Sequence, residues 1–352
     1  MKIKKLKKKS QKKLILITLI AVIVLCAATA SFSFFLSPVG DSEASISVRI
    51  ESGSTLDDIA AALQENNLIR SKSFFKFYIR IQSKQNDLKA GKYKFSNSMN
   101  TSEIVAKLIE GQVSNTVTIT IKEGLDLNRI GDYLESTGLF TKEQFLDEIK
   151  NNFSYYQQKY AFLASVPADR EYGLEGYLYG DTYEVYEDAT PRDVIEKCLN
   201  QFNTIFKQEY YARCDALGMS VDQVVTMASV VEREGILDDE LPTIASVFYN
   251  RLDAGMKLQS CATLQYIFQD YQFTFTSSQI AVDSPYNTYQ NYGLPAGPIS
   301  NFRKSALEAA LYPAETDYYF FCSKNDGTGS SAFAATNAEH EQNIEKYSGS
   351  WN

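Results

Sequence analysis

The feature that most constrains this chain is a long stretch without charged residues near its start. Residues 14–36 read LILITLIAVIVLCAATASFSFFL, 23 residues without a charge, whereas a helix of about 20 residues suffices to cross a bilayer. Residues 1–13 hold eight lysines and no acid, and lysines favour the cytoplasmic side of a membrane. The pattern predicts a transmembrane helix over residues 14–36 that follows a cytoplasmic basic segment, residues 1–13.

A cleaved signal peptide is the alternative for the same stretch. The basic start, the apolar residues from Leu14 to about Ala28 and the Ala28-Thr29-Ala30 sequence all suit one. The apolar run continues to Leu36, however, where a signal peptide would turn polar, and this favours a retained anchor. Under both interpretations we expect everything after about residue 37 to work outside the cytoplasmic membrane.

The charge and histidine content exclude several classes of function. Beyond residue 36 the chain holds 27 basic and 43 acidic residues, a net charge of −16, which disfavours nucleic acid as a partner. The single histidine, His340, excludes a multi-histidine zinc site and leaves little scope for a Ser–His–Asp triad. The five cysteines show no CxxC spacing, so they indicate neither a disulfide framework nor a metal site. We expect no cofactor.

After a short linker, residues 37–45, the sequence contains an internal repeat. The segment from Ser45 matches the segment from Thr116 at a constant offset of 71. Each copy reads as a strand of alternating apolar residues, a glycine turn and a helix. The aligned residues are Gly53, Leu56, Ile59, Leu63, Leu68 and Phe74 in the first copy, and Gly124, Leu127, Ile130, Leu134, Leu139 and Phe145 in the second.

Residues 46–115 are predicted to form a small αβ module around the first copy. LKAGKYKF (88–95) is typical of a returning strand, and residues 96–111 predict a helix that Gly111 could end. A structural spacer and a module that grips a polymer are both compatible with this pattern. The fold class expected for the whole chain is α+β, with a mixed α+β domain over residues 116–347.

The segment GLEGYLYGDTYEVYEDA (173–189) is crowded with tyrosines, glycines and acids. A phenol offers a flat apolar face together with a hydroxyl, which suits a sugar-binding cleft. Exposed tyrosines on a β-rich segment would give the same composition.

The sequence SVDQ (220–223) has the form of a capping box, and Gly235 stands where a helix over residues 221–234 would end. At about 100° per residue, Glu232 falls in the middle of the apolar stripe of this helix. Burial and the negative end of the helix dipole both raise a carboxyl pKa. Glu232 is therefore a candidate general acid for a glycosidic oxygen, and a buried glutamate satisfied by an arginine such as Arg251 is the alternative.

Five stretches, in this order, resemble the membrane-anchored endolytic murein transglycosylases of bacteria (the YceG-like, or MltG, proteins). They are LEGYLYGDTYEV (174–185), ASVVEREG (228–235), SVFYNRLDAGMKLQSCATLQY (246–266), SPYNTYQNYGLPAGPISNFRKSALEAALYPAETDYYFF (284–321) and AEHEQN (338–343). With the anchor and a module similar to the family's LysM-like unit, the likeness covers nearly the whole chain. It implies a YceG-like catalytic domain over residues 116–347.

The resemblance implies cleavage between N-acetylmuramic acid (MurNAc) and N-acetylglucosamine (GlcNAc) within nascent glycan strands, leaving 1,6-anhydro-MurNAc ends. The family's catalytic glutamate matches Glu232. It also implies a single-pass protein of the cell membrane with its catalytic domain outside, and the cell-wall synthases as partners besides glycan and membrane. A non-catalytic peptidoglycan-binding scaffold of the synthesis machinery is the alternative function.

Eleven further residues are carried over from the family motifs as candidate substrate contacts, because amides and hydroxyls suit N-acetyl and ring hydroxyl groups. The alternative for each is a polar side chain satisfied inside the fold. They are Glu175, Tyr177, Asp181, Tyr183, Asn250, Arg251, Gln259, Thr263, Asn287, Thr288 and Tyr289. The run GLPAGPIS (293–300) is expected to be a preorganised loop beside the cleft, and a plain structural turn is the alternative. The sequence departs from the family at Cys261, where an acid is common, and at Ser331, where a histidine is common. For His340 the family match implies a role in packing or at the edge of the substrate site, whereas the residue alone favours a histidine that faces solvent.

Overall fold

A computed structural model describes residues 19, 22–51, 53–111, 116–272 and 274–347. The chain divides into two compact units, Met1–Asn115 and Thr116–Asn352. Over the described residues the strands form three separate two-stranded antiparallel sheets among many helices. The predicted α+β class is confirmed.

The first described helix, α1, covers residues 22–36. Within the described ranges, no helix is both long and apolar enough to cross a membrane. The predicted span of residues 14–36 lies partly outside those ranges, at residues 14–18, 20 and 21. The basic segment, residues 1–13, lies wholly outside them.

The rest of unit 1 has the order strand, helix, helix, strand, helix. Its elements are β1 (Ile46–Ile50), α2 (Leu56–Glu65), α3 (Lys72–Ile81), β2 (Gly91–Phe95) and α4 (Thr101–Glu110). Side chains of Thr55, Ser71 and Asn100 cap the three helices, and alternate strand residues face a core that includes Val48, Ile50, Tyr93 and Phe95. The predicted strands and helix are thus present, and the likeness to a LysM-like unit stays a prediction.

Unit 2 begins with the second copy of the repeat and continues into a mainly helical body. Its elements are β3 (Thr116–Ile121), α5 (Leu127–Ser136), α6 (Lys142–Lys159), a 3₁₀ turn (Ala161–Leu163), β4 (Asp181–Tyr186), α7 (Pro191–Ile205), α8 (Gln208–Leu217), α9 (Val221–Glu234), α10 (Leu241–Asp253), α11 (Cys261–Phe268), α12 (Ser277–Ile280), α13 (Lys304–Leu311), β5 (Phe320–Ser323), β6 (Ser331–Ala334) and α14 (Asn337–Tyr347). Helix α9 runs through the core, where Val224, Val225, Ala228, Val230 and Val231 are all fully buried. The predicted bounds of α9 are confirmed.

The two copies of the repeat share more structure than the sequence alignment covers. Strand β3 pairs with β4 in the register in which β1 pairs with β2, because Ile119 faces Tyr183 as Val48 faces Tyr93. Each tyrosine hydroxyl donates, over 2.7 Å, to the carbonyl oxygen four residues earlier, Lys89 or Tyr179. The second copy therefore contains the whole module of the first, including the returning strand, together with additional residues.

The enlargement lies between the second helix and the returning strand. Nine residues separate α3 from β2 in the first copy, whereas residues 160–180 separate α6 from β4 in the second. The LEGYLYG sequence (174–180) lies in this added segment. This motif therefore belongs to the part of the second copy that has no counterpart in the first.

Candidate active site

Glu232 lies in the last turn of α9, and its side chain is only 8 % exposed. The capping box of Ser220 and Gln223 starts this helix. Gly235 ends it with φ −112°, so the helix does not stop in the left-handed conformation. A β-carbon at position 235 would lie 2.3 Å from a methyl carbon of Leu241, which shows that this glycine allows α10 to approach.

The two carboxylate oxygens of Glu232 have different surroundings. Oε2 accepts a hydrogen bond from the backbone N–H of Arg303 over 3.0 Å, and Nε of the same arginine lies 3.3 Å away. Oε1 faces Gly124, where a β-carbon would be 3.7 Å from it, and the described residues give it no hydrogen bond. One oxygen is thus anchored while the other remains available.

Burial raises the pKa of Glu232 to about 7, although the backbone N–H and the guanidinium of Arg303 lower it. The carboxylates of Glu123 and Asp238 raise the pKa further. The arginine beside Glu232 is therefore Arg303, and Arg251 has other partners. The N-terminus of α13 also opposes the dipole of α9, because Arg303 is the N-cap residue of α13.

The turn at Gly124 is held against α9 by side chains from distant parts of unit 2. Arg233 donates to the Gly124 carbonyl over 2.9 Å. Asn301, only 1 % exposed, accepts from the Leu125 N–H and donates to the carbonyls of Lys122 and Leu178. The amide of Asn301 therefore joins the two segments that enclose Glu232, the turn after β3 and the segment before β4.

Tyr179 comes from the second of these segments. Burial raises the pKa of its phenol, the nearby carboxylates of Glu123, Asp181 and Glu232 raise it further, and the backbone N–H of Lys304 lowers it. Gly180 allows the segment before β4 to approach the backbone at Glu123 closely, because a β-carbon at position 180 would lie 3.1 Å from the Glu123 nitrogen. A glutamate of raised pKa, a phenol and an arginine thus meet at one place, an arrangement that can deliver a proton to a bound oxygen.

Three residues of the predicted binding set line a separate cavity of about 430 Å³. Arg251, Gln259 and Tyr289 share its wall with Glu234, Cys261 and His340, whereas Glu232 does not line it. The guanidinium of Arg251 donates to the carbonyls of Tyr319 and Leu258 over 2.6 and 2.8 Å. Burial raises the pKa of Glu234, which accepts a hydrogen bond from Ser260.

Six residues of the predicted set are buried and already bonded within the fold. Tyr177 is fully buried and donates to Asp222, and Tyr183 holds the Tyr179 carbonyl. Thr263 and Thr288 bond to each other, and Asn287 donates to the carbonyls of Ile280 and Val282. Glu175, 1 % exposed, accepts from the Leu127 N–H and the Tyr266 hydroxyl. In this structure these side chains have almost no surface to offer a glycan.

The remaining two predicted contacts lie elsewhere. Asp181 is exposed at the start of β4, where Gln201 donates to it over 2.7 Å. Asn250 donates to the carbonyls of Thr316 and Tyr318. The predicted binding set is therefore spread over several regions, and its role in substrate binding stays a prediction.

The structure distinguishes the two expectations for His340 and places both departures from the family pattern. His340 is half-buried rather than fully in solvent, because its ring stacks on Phe320 at 5.1 Å, and burial lowers its pKa. This agrees with the packing alternative. Cys261 lies 3.0 Å from the Tyr289 hydroxyl, and burial raises its pKa. The backbone N–H of Ser331 donates to Glu240 over 2.9 Å.

The GLPAGPIS run is held in place as expected of a preorganised loop. Arg170, paired with Asp222, donates to the Ala296 carbonyl over 2.8 Å. The Ile299 N–H donates to the Ser229 hydroxyl of α9 over 3.0 Å. This loop leads directly into Asn301 and Arg303, so it fixes the residues that contact the surroundings of Glu232.

Sequence reasoning missed Gly124, Tyr179 and Arg303 as neighbours of Glu232, and Asn301 as the residue that binds the backbone on both sides of Gly124. Gly124 stood out only as an aligned glycine of the repeat, and Arg303 only as a letter within a long motif. The available signal for Gly124 was its alignment with Gly53 in the repeat. The two aligned glycine turns need not have the same role. Nothing in local spacing could pair Arg303 with a carboxylate 71 residues earlier.

Comparison with known proteins gives one consistent family. The sequence profile of the YceG-like family matches residues 48–346. A Bacillus subtilis (strain 168) protein named endolytic murein transglycosylase is 33 % identical over 318 residues, 89 % of this chain and 87 % of that protein. A protein of the same name from Streptococcus pneumoniae (serotype 2, strain D39) is 31 % identical over 86 % of this chain and 58 % of its own length.

A solved structure agrees with this result. A crystal structure of a yceG-like protein from Listeria monocytogenes matches with a TM-score of 0.59 and 34 % sequence identity. The match covers 86 % of this chain and 99 % of the other. The chain therefore belongs to the YceG-like family.

Proposed function

We propose that this chain is a peptidoglycan lytic transglycosylase that cleaves MurNAc–GlcNAc bonds within nascent glycan strands and leaves 1,6-anhydro-MurNAc ends. Its family and the names of its relatives support a transglycosylase of murein. The single observation that carries the chemistry is Glu232, a carboxyl whose pKa burial raises to about 7 and whose Oε1 is not engaged by the described residues. No metal or cofactor is part of the proposal.

In the proposed reaction, Oε1 of protonated Glu232 donates its proton to the glycosidic oxygen as the bond to C1 of MurNAc breaks. The resulting carboxylate then takes the proton of the C6 hydroxyl of the same sugar. That hydroxyl oxygen bonds to C1 and closes the anhydro ring. The proton returns to Glu232 and no water is consumed, so one carboxyl suffices where a hydrolase needs two.

The anchoring of Oε2 gives this step its geometry. The Arg303 backbone N–H fixes the carboxyl, while its guanidinium binds the Gly235 and Ile236 carbonyls at the end of α9. The positive charge beside Oε2 stabilises the carboxylate that forms when the proton leaves. Arg303 is thus a positioning residue in this mechanism.

We also propose that the protein is anchored in the cell membrane, with its N-terminus in the cytoplasm and its catalytic unit outside. The uncharged residues 14–36 and the eight lysines before them support this arrangement. Residues Val22, Ile23, Val24 and Leu25 of α1 are apolar and at least half exposed. Glycan strands and the membrane are the proposed partners, and the cell-wall synthases are proposed by family resemblance alone.

Digestion of purified peptidoglycan by the full chain in detergent, followed by mass spectrometry of the fragments, tests the catalytic proposal. We expect fragments one water lighter than hydrolysis products, and loss of at least about a hundred-fold of the rate in Glu232→Gln. Glu135→Gln, at an exposed position on α5, is the charge-matched control. A wild-type chain that binds glycan without releasing fragments would indicate the non-catalytic scaffold instead.

A further inference from the structure

The outward surface of α3 in unit 1 combines apolar and basic side chains. Phe77 and Ile81 are each 54 % exposed. Lys72, Lys76 and Arg80 follow one another at a spacing of four residues, so they form one stripe beside the two apolar side chains. Lys72 and Arg80 are exposed, whereas the side chain of Lys76 is 23 % exposed and pairs with Asp57 of α2. We refer to these five residues as the α3 face. Adjacent large apolar residues in contact with water are unusual for a soluble surface and indicate an interaction site.

The opposite side of α3 supports this surface. Phe75 and Ile79 are fully buried in the core of unit 1. The exposure of Phe77 and Ile81 is therefore not a consequence of a loosely packed helix. Helix α3 thus has two apolar sides. Phe75 and Ile79 pack in the core, whereas Phe77 and Ile81 form a second apolar strip that no other element covers within the described residues.

The last turns of α1 pack directly on α3. The ring of Phe74 lies 5.2 Å from that of Phe32 and 5.0 Å from that of Phe35, and Phe32 lies 6.1 Å from Tyr78. The hydroxyl of Thr101 donates to the Phe35 carbonyl over 3.2 Å. The C-terminal end of α1 and the side of α3 are thus in direct contact.

The segment after α1 is also tied down. Asn97 accepts hydrogen bonds from the N–H groups of Gly40 and Ser42 over 2.9 and 3.0 Å. Arg70 donates to the Pro38 carbonyl and covers the ring of Phe34 at 4.6 Å. Residues 37–42 therefore do not act as a free tether, and the module cannot turn independently of α1 without losing these bonds.

We propose that the α3 face lies on the outer surface of the membrane, with Phe77 and Ile81 at the boundary between headgroups and acyl chains. Lys72 and Arg80 would then contact the headgroups of anionic phospholipids. The inference rests on the proposal that residues 14–36 span the bilayer. The end of such a span lies at the interface, and α3, in ring contact with that end, lies there too.

The distribution of charge supports the choice of an anionic lipid surface. Residues 37–111 hold 10 basic and 9 acidic residues, whereas residues 112–352 hold 17 basic and 34 acidic residues. Most of the negative charge beyond residue 36 thus lies in residues 112–352. Residues 37–111 are nearly neutral, so anionic lipid repels them far less. Basic side chains beside inserted apolar ones are typical of helices that lie in a membrane interface.

A tryptophan placed on the α3 face can report its surroundings. In the full chain carrying Trp351→Phe, Phe77→Trp supplies a single tryptophan, and Lys94→Trp supplies a matched one on the outward side of the β1–β2 sheet. Both proteins are reconstituted into vesicles of phosphatidylcholine and phosphatidylglycerol that contain lipid brominated on its acyl chains. We expect blue-shifted emission at position 77 and at least about twofold more quenching there than at position 94.

Equal quenching at the two positions, or stronger quenching at position 94, would overturn the inference. Adding Lys72→Glu and Arg80→Glu should reduce the quenching at position 77, and so should vesicles of phosphatidylcholine alone. Quenching that ignores both changes would contradict the role of anionic lipid. Flotation of the chain with the vesicles tests membrane anchoring separately, and glycan digestion in detergent tests catalysis. A failure of the anchoring or the catalytic proposal can therefore be distinguished from a failure of the proposal for the α3 face.

Discussion

At the level of single residues, the carboxyl of Glu232 is subject to two opposing influences. Burial raises its pKa to about 7, and the backbone N–H and guanidinium of Arg303 hold the pKa down. A general acid works best when its pKa lies near the working pH. The opposition therefore leaves the group able both to release a proton and to take one back near neutrality.

The first prediction concerns the pH dependence of the reaction. Because Glu232 must carry its proton to start the reaction, kcat/KM should fall as pH rises, with a midpoint near 7. Initial rates on purified glycan strands between about pH 5 and 9 measure this profile. A rate that is constant across this range would show that another group supplies the proton.

The second prediction separates positioning from structural support at Arg303. Arg303→Met removes the cation that lowers the pKa of Glu232, so the descending limb should move to higher pH while kcat falls roughly tenfold or more. Arg213→Met is the matched control, since Arg213 binds the Leu311 carbonyl at the other end of α13. If Arg303→Met lowers the rate equally at every pH without moving the limb, Arg303 supports the fold only.

At the level of elements, the duplicated turn shows how one copy of the repeat acquired a different environment. Gly53 and Gly124 both adopt positive φ, 84° and 74°, after equivalent strands. A β-carbon at Gly53 would meet nothing within 4 Å, whereas one at Gly124 would lie 3.7 Å from Oε1 of Glu232. The same turn is thus a surface feature in the first copy and a wall of the candidate site in the second.

The third prediction uses this pair of glycines. Each Gly→Ala change should cost about 1–2 kcal/mol of unfolding free energy, because an L side chain is strained in the left-handed region. Gly124→Ala should also lower kcat, since the new methyl group occupies space beside Oε1, whereas Gly53→Ala should leave kcat unchanged. Chemical denaturation and glycan digestion of both variants provide the comparison. Equal kcat values would remove Gly124 from the site.

Much of the element order could be predicted from the sequence, and the limits have physical causes. Spacing and capping signals gave α9 and Glu232, because both depend on residues within one helix. The pairing of β3 with β4 was missed, since a strand partner some 60 residues away leaves no mark on local periodicity. The tyrosines of residues 173–189 suggested a cleft, but Tyr177 and Tyr183 are core residues bonded within the fold.

The candidate site was predictable at its centre and not at its edges. Glu232 followed from its place on the apolar stripe, whereas Arg303 and Gly124 approach it only through tertiary folding. The same holds for Asn301, which binds the Leu125 N–H next to Gly124. The family motifs contain residues of two kinds, those near Glu232 and those that hold loops such as Asn287 and Thr288. Sequence alone does not separate the two kinds, because both are polar.

At the level of the whole molecule, buried carboxyls link folding to pH. Burial and the neighbouring Asp126 raise the pKa of Glu175 to about 8, against a value of 4.5 for the free side chain. The folded state therefore binds more protons than the unfolded state between these values, so unfolding free energy falls as pH rises through this range. Glu232 contributes in the same direction.

The fourth prediction follows from this linkage. The urea midpoint of the full chain in detergent should decrease from about pH 5 to 8, and Glu175→Gln should make it markedly less dependent on pH, because the amide carries no titratable proton. Glu135→Gln, an exposed substitution, should retain the wild-type dependence. A midpoint of Glu175→Gln that still follows pH as the wild type does would show that Glu175 is charged in the folded protein.

The most direct test of the proposed chemistry is digestion of purified glycan strands by the full chain in water enriched in H₂¹⁸O. We expect fragments that carry 1,6-anhydro-MurNAc ends and no heavy oxygen, because the oxygen of the C6 hydroxyl forms the new bond to C1. These fragments should disappear in Glu232→Gln. Reducing ends that each contain one heavy oxygen would show that water is the nucleophile and would contradict the lyase mechanism.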